Sequence, residues 1–209
     1  MLREAFVKQG ALKTLDIHSH YPDVYGEWFK EGRESVKSML EIGIYKGGSL
    51  NAWATFFPNA KIFGIDVKKR KWEFASDRIK TFIGGQEDEG FLEKVFGETT
   101  FDIIIDDGSH QMGHQKKSFE LLFKKLVPGG MYVIEDLHSS YWPKFGGCLR
   151  DKKTTIERLK RYIDNLNSWA YKKNKRAGKH IVNKKKNFYD VEIDSMHFYR
   201  SMCFIRRTG

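Results

Sequence analysis

Ser38-Met-Leu-Glu-Ile-Gly-Ile-Tyr-Lys-Gly-Gly-Ser49 runs from an apolar stretch through a glycine turn into a helical pattern over Ser49–Phe57. Four further apolar, β-branched runs follow: Lys61–Val67, Lys80–Ile83, Phe101–Asp107 and Met131–Asp136. Continuous rather than alternating hydrophobicity marks strands buried on both faces of a parallel sheet. Helical patterns separate them at Lys71–Arg78, Glu89–Phe96 and Met112–Lys125, the last ended by Pro128-Gly129-Gly130. This alternation predicts a doubly wound α/β sheet. Beyond a helix predicted over Thr154–Ala170, Phe188–Asp194 and His197–Arg206 read as two strands joined by a short turn, hence antiparallel. A parallel sheet closed by such a hairpin suggests a methyltransferase-type Rossmann-like sheet rather than a nicotinamide-type one.

The chain of 209 residues suits a single domain, 1–209, with residues 1–37 expected as an N-terminal lid. Two distant cysteines, Cys148 and Cys203, argue against a disulfide framework or a zinc ribbon. The polar start and the lack of an apolar run of about 18 residues predict a soluble, cytoplasmic protein without a membrane span. The net charge of +10 lies entirely in residues 151–209, which hold 16 basic and 6 acidic side chains. Residues 171–186, half of them Lys or Arg, read as an exposed basic loop, either a solvated surface or an attractor of anions.

Glycines after the first strand permit a tight turn and close approach of a ligand. Asp66 ends the second strand, where a carboxylate can accept both ribose hydroxyls of an adenosine cofactor. Loop and acid together indicate a nucleoside cofactor without separating NAD from S-adenosylmethionine. The fourth strand ends in Asp106-Asp-Gly-Ser-His110 and the fifth in Glu135-Asp-Leu-His138. Carboxyl ends of neighbouring strands face one crevice, and four carboxylates there require protonation or a cation. Oxygen donors without cysteine favour Mg²⁺, Mn²⁺ or Ca²⁺. Otherwise Asp106 caps a turn and Glu135 pairs with a basic side chain. His110 can lean over the crevice as a general base, or simply bond a backbone carbonyl.

Asp106-Asp-Gly-Ser-His110 and Leu126-Val-Pro-Gly-Gly-Met-Tyr-Val-Ile-Glu-Asp-Leu-His-Ser-Ser-Tyr-Trp142, with Leu40–Leu50, Phe63–Asp66 and Tyr21-Pro-Asp-Val-Tyr25, resemble the metal-dependent sugar O-methyltransferases. These include the mycinamicin, macrocin and rhamnosyl enzymes, and the short Lys-rich chain is also similar to glycan-modifying methyltransferases of large algal DNA viruses. The resemblance implies Mg²⁺ (or Mn²⁺) on Asp107, Glu135 and Asp136, with His110 as base. It implies S-adenosylmethionine surrounded by Glu41, Gly43, Gly47, Gly48, Ser49, Asp66, Gln86, Asp106 and Asp107, with Tyr21 closing over it. Where family members often carry Gly-Asp-Gln, this chain has Gly84-Gly85-Gln86. The implied acceptor is a sugar or glycan hydroxyl. Tyr141 and Trp142 could stack on a sugar face or serve only as loop packing.

Other readings remain open at this point. A catechol also offers paired oxygens to a metal. The basic tail suggests a nucleic-acid methyltransferase, although the acid cluster speaks against nucleic acid as partner. A nicotinamide oxidoreductase, and an anion-binding module that leaves the acids without a role, complete the set. A symmetric homo-oligomer is the default assembly.

Overall fold

The computed structural model describes residues 1–167 and 192–209. The basic loop 171–186, the start of the strand expected at Phe188 and the end of the helix expected to reach Ala170 lie outside them. Among the described residues seven strands form one sheet: β1 (Ser38–Ile42), β2 (Lys61–Asp66), β3 (Ile79–Ile83), β4 (Phe101–Asp106), β5 (Leu126–Ile134), β6 (Ile193–Tyr199) and β7 (Met202–Arg207). Their order is β3-β2-β1-β4-β5-β7-β6. The first five are parallel, and β7 runs antiparallel to both β5 and β6. The sheet is therefore the mostly parallel, hairpin-terminated Rossmann-like one expected.

Helices cover both faces. On one face lie α1 (Leu2–Lys8), α2 (Tyr21–Phe29) and α3 (Gly48–Phe56), packed through Phe6, Tyr25, Trp53, Phe57 and Phe204. On the other lie α4 (Glu89–Phe96), α5 (Met112–Leu122) and α6 (Thr155–Leu166), packed through Leu92, Phe96, Phe119, Leu122 and Tyr162. Each fully buried side chain of this size contributes about 1.5–3 kcal/mol. Side chains in α4 and α6 cap their own starts: Asp88 accepts from the Phe91 amide and Thr154 from the Glu157 amide.

Three local expectations are corrected. Residues 71–78 form no helix. Their backbone is captured instead by Asn51, which donates to the Glu73 carbonyl and accepts from the Ala75 amide, while the Trp72 indole donates to the Tyr45 carbonyl. Pro128-Gly129-Gly130 does not mark a helix end. The helix has already tightened into a 3₁₀ turn at Phe123–Lys125, and the three residues form an irregularity inside β5, between the pairs Phe101–Leu126 and Ile103–Met131. In the hairpin the turn falls at Arg200-Ser201 rather than 195–196, with Ser201 in the left-handed region at φ 66°. No glycine signals it.

The N-terminal residues pack against the body of the domain through Leu2, Phe6 and Ala11. The chain from Gln9 to Ala11 lies against the start of α3, where a Cβ on Gly48 would come within 2.5 Å of the Gln9 carbonyl oxygen. The Phe6 ring meets Trp53 edge-on at 4.8 Å. Arg3 forks onto Asp23 and also donates to the Ser19 carbonyl, tying α1 to α2.

Candidate active site

The site forms where β1, β2, β4 and β5 end. β1 leaves the sheet at Gly43 (φ +92°), whose missing side chain is required: a Cβ would sit almost on the Asp107 carbonyl oxygen. The loops after β1 and β4 therefore touch. Gly47 (φ +83°) leaves room for the rings of Trp72 and Phe74, and Gly48 for the N-terminal strand of chain. All three loop glycines thus accommodate the protein's own atoms. Asp66 accepts from the Ile44 and Tyr45 amides through Oδ2 and from the Lys68 amide through Oδ1, clasping the loop to the end of β2.

Glu41 and Asp106 lie one layer deeper, both wholly buried. Glu41 accepts from the Ser49 hydroxyl at 2.6 Å and the Trp53 indole at 3.3 Å. Asp106 accepts from Gln86, Ser118 and Tyr132. Gln86 completes its set by accepting from the Ser109 amide. Burial pushes both carboxyls above their ordinary range, against the hydrogen bonds that favour the ionised forms. These residues set the loops in place from beneath rather than line the open cleft.

Asp107, His110 and Asp136 converge, with one ligand atom from each lying within 4.8 Å of the others. His110 Nε2 is 3.5 Å from Asp136 Oδ2, and its buried Nδ1 has no partner among the described residues. The His110 ring packs edge-on against Phe145. His110 (φ 57°) and Asp136 (φ 56°) both adopt left-handed backbone, a strained conformation that clusters at functional sites. Asp136 Oδ1 is 3.0 Å from His18 Nε2 and accepts from the Tyr21 hydroxyl at 2.8 Å. Burial alone would raise the Asp136 carboxyl. The His18 imidazole 3.0 Å away, with the His110 imidazole and the Tyr21 hydroxyl, outweighs it and holds the carboxyl well below its usual range.

Glu135 is engaged differently. The Tyr25 hydroxyl donates to its Oε1 at 2.5 Å, and the Lys13 ammonium contacts both oxygens at 2.7 and 2.8 Å. Burial and nearby Asp107 push the Glu135 carboxyl up. Burial pulls the Lys13 ammonium down, but Asp107, Glu135 and Glu41 together hold it well above its usual value.

Sequence reasoning missed Lys13, His18 and the contact of Tyr25. Tyr25 was within reach, since Tyr21 and Tyr25 stand four apart and share a helix face. Lys13 and His18 sit on 3₁₀ turns at Leu12–Thr14 and Asp16–His18, where no period betrays a direction. His114 bonds Ser109 and faces Glu87. His138 bonds Ser201 and meets Trp142 edge-on at 4.5 Å. Beyond His138 opens a cleft of about 340 Å³ walled by Leu137, Tyr141, Trp142, Phe198 and Tyr199.

This sheet and this arrangement at its carboxyl ends define a methyltransferase of the Rossmann-like class, and the family model for FtsJ-like methyltransferases matches residues 6–167. The chain therefore belongs to the FtsJ-like methyltransferases, and it is similar to the mycinamicin, macrocin and rhamnosyl sugar O-methyltransferases. It is 35% identical over 196 residues to mycinamicin VI 2''-O-methyltransferase of Micromonospora griseorubida, covering 88% of this chain and 47% of that protein. It is 34% identical to 8-demethyl-8-(2-methoxy-alpha-L-rhamnosyl)-tetracenomycin-C 3'-O-methyltransferase of Streptomyces olivaceus, covering 99% and 56%. The solved structure of the MycE methyltransferase from mycinamycin biosynthesis, in complex with Mg, SAH and mycinamycin VI, matches with a TM-score of 0.85 at 32% identity, over 99% of this chain and 53% of that one. The chain spans about half the length of the curated relatives it matches. Among the described residues no helix is long and apolar enough to cross a membrane.

Proposed function

We propose that the protein is an S-adenosylmethionine-dependent, Mg²⁺-dependent O-methyltransferase that modifies a sugar hydroxyl, a rhamnose-like glycoside or glycan being the acceptor. The observation that carries this reading is the convergence of Asp107, His110 and Asp136 beside the glycine loop. The donors fit a hard dication: two carboxylates at the rim of a cluster in which Glu41, Asp107, Glu135 and Asp136 outnumber the adjacent cation Lys13. Asp107 and Asp136 would hold the metal, and Glu135, which the resemblance adds as a third ligand, is engaged here by Lys13 and Tyr25. What the dication supplies when bound is charge that acidifies a neighbouring pair of hydroxyls.

The chain's own residues do the rest. The loop from Gly43 to Ser49, with Asp66 behind it, seats the methyl donor, and Tyr21 closes that side of the cleft. Gln86 and Asp106 support this wall from within. His110 Nε2 takes the hydroxyl proton as the sugar oxygen attacks the donor methyl, the S–CH3 bond breaks with its electron pair returning to sulfur, S-adenosylhomocysteine leaves, and Asp136, 3.5 Å away, stabilises the imidazolium that results. The aromatic cleft past His138 receives the apolar face of the acceptor, with Trp142 and Tyr141 as stacking surfaces. The names of the relatives support a glycosidic acceptor, since one acts on a rhamnosyl group and the MycE complex holds mycinamycin VI.

The test is incubation with labelled S-adenosylmethionine, Mg²⁺ and a panel of rhamnosides, catechols and RNA. Label is expected on a rhamnoside hydroxyl and is lost in EDTA. Full activity in EDTA with no residual metal removes the metal role. Label confined to RNA or to catechol removes the sugar acceptor.

A further inference from the structure

Glu41 is the penultimate residue of β1, Asp107 and Glu135 directly follow the neighbouring strands β4 and β5, and a single ammonium joins the three. Lys13 Nζ lies 2.5 Å from Asp107 Oδ2, 2.7 Å from Glu135 Oε1 and 3.2 Å from Glu41 Oε1. A lysine ammonium has three N–H donors, and here three different carboxylates stand around it. The Lys13 side chain is only 5% exposed. Buried charges persist where they are paired, and removing one partner strands the other. Nothing in the proton and methyl transfers described above uses Lys13.

The segment that carries Lys13 is fastened on both sides. The Ala11 amide donates to the Phe6 carbonyl at 3.0 Å, and the Thr14 hydroxyl donates to the Ala11 carbonyl at 3.0 Å. Gln9 to Ala11 fill the space left by Gly48. Downstream, the His20 ring meets the Arg200 carbonyl at 2.7 Å. Extracting the lysine would disrupt this packing. It is built in, rather than resting in the cluster as a removable plug.

We propose that Lys13 is a positioning residue of the metal site, an internal cation that fixes Asp107 and Glu135 for a dication held alongside by Asp107 and Asp136. Asp107 belongs to both groups, touching Lys13 through Oδ2 and joining His110 and Asp136 in the metal-competent set. The proposal rests on the metal-dependent reading given under Proposed function. Groups that orient metal ligands without touching the metal typically cost about 10–100-fold in metal affinity when removed.

The test uses the full chain and Mn²⁺ alone as probe, read by electron paramagnetic resonance, with near-ultraviolet circular dichroism to establish folding. Wild type is expected to bind Mn²⁺, and Lys13→Met to bind it about 10–100-fold more weakly while folded. Equal or tighter binding by Lys13→Met overturns the proposal, tighter binding showing that Lys13 competes with the metal. A second measurement needs no variant: lysine acylation of wild type with and without Mg²⁺, mapped by mass spectrometry. Lys13 is expected to stay unmodified in both while exposed Lys8 and Lys30 react. Reaction of Lys13 on adding Mg²⁺ overturns the proposal even if the variant does not fold. Absence of Mn²⁺ binding by wild type overturns the metal-dependent reading and this proposal together. Normal wild-type binding with an indifferent variant overturns this proposal alone.

Discussion

The Tyr21 hydroxyl donates to Asp136 Oδ1 at 2.8 Å and accepts from the Asp136 amide at 3.3 Å, so one phenol fixes both the side chain and the strained backbone of a proposed metal ligand. Tyr21→Phe removes only that oxygen. Metal affinity is expected to fall about 10-fold or more, measured by Mn²⁺ titration, with the melting temperature little changed because the ring stays packed.

His110 carries the proposed proton transfer but is spared from holding the fold. His110→Gln is expected to lower the methyl-transfer rate by about 10²–10⁴-fold, measured with saturating donor and acceptor. Binding of S-adenosylhomocysteine should survive. A variant within a few-fold of wild type assigns the base elsewhere.

Gly43→Ala places a Cβ on the Asp107 carbonyl in a backbone conformation that L-residues rarely adopt. Strain and overlap together are expected to cost at least about 2 kcal/mol. Urea unfolding measures this, and calorimetry should show donor affinity falling with it, since the loops after β1 and β4 must separate.

Arg3 holds Asp23 through a forked contact, and the hydrogen bond followed by the charge of Arg3 lowers the Asp23 carboxyl pKa below its ordinary value. A depressed folded-state pKa gives stability that is present above the unfolded value, about 3.9, and is lost as pH falls through the folded one. Both partners are well exposed, so Asp23→Asn is expected to cost less than about 1 kcal/mol at pH 7. The difference should close towards pH 3 and shrink in high salt, as followed by denaturant titration.

Phe204, fully buried on β7, stacks on Trp28 at 5.1 Å and meets Tyr25 at 5.5 Å and Tyr199 at 5.7 Å. Phe204→Ala is expected to destabilise the protein by about 3–5 kcal/mol in thermal or urea unfolding. Because Tyr25 also bonds Glu135, Mn²⁺ affinity should weaken in the folded fraction.

The parallel strands were legible because burial on both faces leaves continuous apolar runs, as in Ile103–Ile105 and Met131–Ile134. The acidic ends of β4 and β5 followed from the same reading, since topology puts neighbouring carboxyl ends at one crevice. What escaped was decided by contacts rather than by periodicity. Residues 71–78 carry a weak helical pattern, yet Asn51 and Tyr45, distant in sequence, draw that backbone elsewhere. At Gly47 and Gly48 the space that a Cβ would take is occupied by Phe74, Trp72 and Gln9, contacts that no spacing in the sequence announces. Lys13 carries no local signature at all. A lysine between Leu12 and Thr14 looks like surface until three strand ends are brought around it.

β7 lies between β5 and β6, and the turn before it supplies Ser201, whose carbonyl receives the Tyr21 hydroxyl and whose own hydroxyl meets His138. Residues near both extremities of this sequence therefore assemble at one point above the fifth strand. During synthesis every acid of the cluster emerges well before Ser201 does. Pairing β7 with β5 therefore also brings the Ser201 turn over Tyr21, so closing the sheet and closing this side of the cleft are one event.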